Sequence, residues 1–93
     1  MKLVYIRHLI ERIELRGIPF DLPKEVYLDR EETFFDTQTN HFVALSKKEY
    51  FGKLRTLVVP FDKFSDRIEL ISIHPIRERR KLQRVESGRW VKE

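Results

Sequence analysis

The sequence contains no cysteine, which excludes a disulfide scaffold, a thiolate metal site and a cysteine nucleophile. Amide and thioether side chains are scarce, with one Asn, two Gln and one Met. Set beside abundant Glu, Lys and Arg, this resembles the composition of a thermophile protein, although a short chain can reach it by chance. Glycine is rare too, and no Gly-rich phosphate loop, repeat or low-complexity segment is present. His-Glu-x-x-His metal spacing and a serine nucleophile elbow are also missing, so no metal or other cofactor is expected. No apolar run approaches the ~20 residues of a membrane span. The N-terminus lacks a hydrophobic block followed by a small-residue cleavage site. The expectation is a soluble, cytoplasmic protein.

Ninety-three residues suit one domain, 1–93, with a single small core. Charged residues make up 37% of the chain, against the usual ~25%, so charge is the feature to follow. It is unevenly placed. Residues 1–46 carry six basic and eight acidic side chains, and residues 47–93 carry thirteen and seven. Seven of the basic residues fall between Arg77 and Lys92. Such asymmetry points to an anionic partner for the C-terminal half: RNA, DNA or an acidic protein segment. A solvated charged helix would give the same pattern.

The apolar spacing Ile6, Leu9, Ile10, Ile13 predicts a helix over Leu3–Arg16, ended by Gly17 and Pro19. No capping residue marks its start, so Lys2–Tyr5 also fits a short strand. Asp21 caps a second short helix over about Leu22–Asp29. Strands follow at Glu31–Asp36, His41–Ser46, Leu54–Phe61 and Arg67–His74. Lys47–Lys53 reads as a charged loop. Pro75 closes the last strand and opens a basic helix over Ile76–Glu86, with Leu82 and Val85 inward and Gly88 past its end. Trp90 pins the tail to the body. The expected fold is α+β: two N-terminal helices, a four-stranded antiparallel sheet and a C-terminal basic helix.

Three constellations could carry chemistry. His8, Arg12 and Arg16, four apart, form one stripe along the first helix. Two guanidiniums can grip a phosphate bidentately, and a histidine can move a proton near neutral pH. The plainer account is surface exposure and pairing with nearby acids. His74 and Arg77 meet at the strand-to-helix junction, where free backbone N–H groups suit an anion. His74 could equally cap the last helix. Arg77, Lys81 and Arg84 follow i, i+4, i+7 on that helix, with Arg80 on the same broad face. Tyr50, Phe51 and Trp90 stand in or near basic loops, where they could stack on bases or simply pack. His41 stands alone in a strand and reads as structural or exposed. Glu31 and Glu32 are adjacent, so on a strand they diverge and make a poor catalytic dyad.

The run from His8 to Ile18 (His-x-x-x-Arg-x-x-x-Arg-Gly-Ile), the Gly52–Val59 strand (Gly-Lys-Leu-Arg-x-Leu-Val-Val) and the Ile68–Pro75 strand end (Ile-x-x-Ile-x-Ile-His-Pro) together suggest a family. The chain resembles an uncharacterised group of small bacterial and archaeal domains related to BrnT and, more remotely, to RelE-type toxins. That resemblance implies a compact domain with a curved antiparallel sheet. It also implies a metal-independent endoribonuclease held in check by a protein antitoxin. His8 or His74 would carry the proton, with Arg12 in the catalytic set. Arg16, Arg55, Arg77, Arg80, Lys81 and Arg84 would hold RNA phosphate. The alternative is a non-catalytic basic module that binds nucleic acid or a protein. An uncovered sheet edge would suit a homodimer or a partner strand.

Overall fold

The computed structural model describes every residue, Met1–Glu93. The order is β1 (Lys2–Tyr5), α1 (Arg7–Arg16), α2 (Leu22–Leu28), β2 (Glu32–Asp36), β3 (His41–Tyr50), β4 (Lys53–Lys63), β5 (Arg67–Leu70), β6 (His74–Ile76), α3 (Glu78–Glu86) and β7 (Trp90–Lys92). All seven strands form one mixed sheet in the order β1-β5-β4-β3-β2-β7, with β6 joined to β4. Only β1 runs parallel to its neighbour, β5. None of the helices is long and apolar enough to cross a membrane.

This overturns the expected two-helix, four-strand, one-helix arrangement, and each departure has a physical reason. Ile6 is extended (φ −71°, ψ 159°) and caps α1 without a side-chain hydrogen bond. The residues before it, Leu3-Val4-Tyr5, are good strand formers and pair with Ile68-Glu69-Leu70. The charged Lys47–Lys53 segment is no loop. Tyr50 pairs directly with Lys53, and Phe51 and Gly52 both have positive φ, 51° and 82°. That is the two-residue hairpin turn whose twist matches the flanking strands, so β3 and β4 continue to its tip. Pro75 lies inside β6, opposite Leu57, and α3 begins three residues later. A proline is tolerated there because β6 bonds to β4 alone and its outer edge is free.

Side-chain alternation divides the core between the two faces of the sheet. Ala44, Leu57, Val59, Phe61, Ile68, Leu70 and Ile73 meet Leu9 and Ile13 of α1 and Leu22 and Val26 of α2. The opposite face carries Phe34, Val43, Leu45, Val58, Ile76 and Trp90. α3 lies over that second face. It is tethered there by Lys81, which donates to Glu32, and by Arg84, whose guanidinium stands 5.2 Å from the Trp90 ring centre. The expectation that Leu82 and Val85 point inward fails: they are 48% and 37% exposed, and no α3 residue is buried. The sheet-facing side of α3 is cationic, so polar contacts hold the helix.

The tail is fixed as expected, through a residue the sequence did not single out. Asp36 is 3% exposed. Its carboxylate accepts from Arg89 Nε and Nη2 at 3.0 Å each, from Trp90 Nε1 at 3.2 Å, and from the Gln38 and Thr39 amides. Burial alone would raise its pKa. The donors outweigh burial and hold it at about 2, down from 3.8. The folded-state value is therefore depressed, so the stabilisation is fully present above pH 4 and is lost as pH falls toward 2. Trp90, 2% exposed, stacks on Phe34 at 5.4 Å and seals the same corner.

Asp36→Asn should therefore cost about 2–3 kcal/mol in denaturant unfolding at pH 7. It should also flatten the acid limb of the stability curve below pH 4. Unchanged stability at both pH values would rule out this anchor.

Candidate functional site

A one-residue slip in register places His74. Leu70 of β5 lies opposite Phe61 of β4, but His74 of β6 lies opposite Val58. One strand advances four residues while the other advances three, so Ile71–Ile73 contains a bulge. Without the bulge, Ile68, Leu70 and His74 would alternate onto the same face. With it, Ile73 joins Ile68 and Leu70 beneath α1 and α2, and His74 turns with Val58 and Ile76 toward α3.

His74 thereby enters a cleft of about 530 Å³ between β6 and α3. Arg55 and Arg77 stand just beyond the last β4–β6 pair, Thr56–Ile76, and both line the cleft. Arg79, Arg80, Gln83 and Arg84 of α3 complete its polar wall. Every ionisable group in the lining is basic. Of the seven ion pairs in the chain, none uses one of these five arginines. Arg77 occupies the N-cap of α3 and makes no side-chain capping bond, so the helix's open first amides add partial positive charge. The cleft concentrates positive potential and contains nothing to neutralise it.

The electrostatics act on His74. Burial, and then the charges of Arg84, Arg12 and Arg89, lower its pKa below the usual imidazole value. Arg84 is itself lowered, first by burial and then by Arg89 and Arg80, the mark of crowded like charges. Near neutral pH, His74 is thus an uncharged proton acceptor amid fixed guanidiniums.

Folding sorts the predicted residues into three groups. His74, Arg55, Arg77, Arg80 and Arg84 share the cleft. Arg12 stands between sites: its charge reaches His74, and its Nε is buried without a hydrogen-bond partner. His8, Arg12 and Arg16 line a separate shallow groove with Glu11 and Leu15, so His8 and Arg16 lie outside the cleft. Lys81 leaves the set altogether. It lies on the opposite flank of α3, pairs with Glu32 and helps hold that carboxylate below its usual pKa. Arg77 is the extended N-cap of α3, outside the helical phase, so the Arg77, Lys81, Arg84 spacing does not define a single face.

A second cavity of about 180 Å³ adjoins the cleft, with His74 and Arg84 lining both. His41 lines it as well, and His41 Nδ1 lies 2.7 Å from Asp62 Oδ1. A hairpin centred on Phe51–Gly52 puts His41 opposite Asp62 by simple counting. Reading 47–53 as a loop hid that pairing.

No protein-family model matches the chain, and neither a curated protein nor a solved structure matches it.

NMR titration of the histidines should find His74 titrating below pH 6.5, with Arg84→Ala moving it back upward. A His74 value at or above 6.5, insensitive to Arg84, contradicts the electrostatics described.

Proposed function

We propose that the protein binds single-stranded RNA along the arginine cleft and cleaves it without metal, with His74 as general base. The observation that carries this reading is an imidazole lining one cleft with five guanidiniums, none of which is paired with a carboxylate. Guanidiniums suit phosphate because their planar fork donates two parallel hydrogen bonds, and a row of them suits a polyanion better than a single phosphate. In the proposed step His74 takes the proton of a ribose 2′-hydroxyl. The 2′-oxygen attacks the adjacent phosphorus, and the bond to the 5′-oxygen breaks. The products are a 2′,3′-cyclic phosphate and a 5′-hydroxyl. Charge that builds on the phosphoryl oxygens is met by donors already in place.

RNA is favoured over DNA because His74 has a role only where a 2′-hydroxyl is present. The hairpin tip supplies a surface for bases: Phe51 is exposed and packs edge-on against Tyr50 at 4.7 Å, close in the chain to Arg55. The resemblance to BrnT- and RelE-type toxins supports the same direction. In that setting an acidic antitoxin segment would compete with RNA for the arginines.

A second reading, binding without cleavage, draws on one specific observation. His74 is the only group lining the cleft that can exchange a proton near neutral pH.

Two measurements separate these readings. Binding to a single-stranded oligoribonucleotide should weaken steeply with salt. Arg77→Ala should reduce the log–log slope by about 0.7, the loss of one phosphate contact. His74→Ala should leave affinity intact and slow cleavage by about 10²–10⁴-fold. Salt-independent binding would defeat both readings. Salt-sensitive binding with no cleavage by the wild type leaves the second.

A further inference from the structure

The arginine cleft offers a base but no matching proton donor for the departing 5′-oxygen. An alkoxide is a poor leaving group, so unassisted departure would limit the reaction. The adjoining cavity contains what the cleft lacks.

His41 begins β3 and Asp62 lies near the end of β4, on neighbouring strands. Their 2.7 Å contact is an ion pair when the imidazole is protonated. It engages Nδ1, which leaves Nε2 as the unengaged ring nitrogen and fixes the ring's orientation. His41 and His74 line the same cavity, and Arg84 forms part of its wall. The one carboxylate that lines the cavity, Asp36, is occupied by Arg89 and Trp90 and does not compete with Asp62 for His41. The two histidines differ in their direct partner: His41 contacts a carboxylate through Nδ1, and no carboxylate pairs with His74.

We propose that His41, held by Asp62, is the general acid of the RNA cleavage assigned to this site, protonating the leaving 5′-oxygen while His74 deprotonates the 2′-hydroxyl. This rests on the cleavage reading above. Written out, the 2′-O–H proton passes to His74 and the 2′-O–P bond forms. The P–O5′ bond breaks, and the 5′-oxygen takes the Nε2 proton of the His41 imidazolium. His74 ends protonated and His41 neutral, and exchange with water restores both. No further reactant is needed. Asp62 acts through His41 as a positioning residue.

The test compares two oligoribonucleotides that differ at one linkage. One has the natural 5′-oxygen. The other has a 5′-bridging sulfur, which leaves as a stable thiolate and needs no proton. His41→Gln should slow the natural linkage by about 100-fold or more and leave the sulfur linkage near the wild-type rate. His74→Gln should slow both. Asp62→Asn should slow only the natural linkage, by less, and alter its pH–rate profile; it also serves as the second variant if His41→Gln folds poorly. RNA affinity, measured alongside, should hold for all three. A His41 variant that cleaves the natural linkage at the wild-type rate overturns the proposal, as does one that loses both linkages equally. In either case the wild-type cleavage stands. A wild type that cleaves neither linkage removes the cleavage reading itself, and this assignment with it.

Discussion

Crowded positive charge without counter-charge is the feature on which the rest of the molecule depends. Five guanidiniums line one cleft, and like charges this close oppose folding. The repulsion is offset elsewhere. Asp36 binds Arg89 from below and fixes Trp90, and the Trp90 ring lies under Arg84. Lys81 reaches from the sheet-facing side of α3 to Glu32, and Lys92 of β7 reaches the same carboxylate. These ties hold α3 to a sheet on which it buries no side chain of its own. The cleft arginines remain free because other residues do the anchoring.

Two local features set the geometry. The bulge at Ile71–Ile73 turns His74 from the face covered by α1 and α2 to the face covered by α3. The two-residue turn at Phe51–Gly52 then aligns β3 with β4 so that His41 meets Asp62. Phe51 has φ 51°, a conformation unusual for a bulky residue, and the ten- and eleven-residue strands behind it impose that geometry. Two histidines far apart in sequence reach one cavity through one register slip and one turn.

The helical pattern of the N-terminal third was legible in the sequence, whereas that of α3 was not, because polar contacts and not Leu82 and Val85 hold it. The Ile6–Ile13 stripe and Gly17 bounded α1 closely at its C-terminus, and Asp21 marked the start of α2. The pairing of β1 with β5 was hidden, because a four-residue strand paired parallel to a distant partner leaves no local signature. The bulge was hidden for a related reason: Leu-Ile-Ser-Ile-His reads as one continuous strand, and only the partner reveals the slip. Among site residues, His74, Arg77, Arg80 and Arg84 could be read from the charge run and the strand end. His8 and Arg16 were drawn in by helical spacing, which says nothing about which other element a helix face meets. Asp36 and His41 were passed over because a single acid or histidine in a strand has no pattern until its cross-strand neighbours are known.

The most direct test of the central claim observes the arginines themselves. Side-chain Nε–Hε resonances would be followed by NMR while a short single-stranded oligoribonucleotide, 2′-O-methylated to prevent turnover, is titrated in. The account predicts that the shifts concentrate on Arg55, Arg77, Arg79, Arg80 and Arg84, with Arg7 and Arg16 unmoved. Shifts centred on α1, or none at low salt, would contradict it.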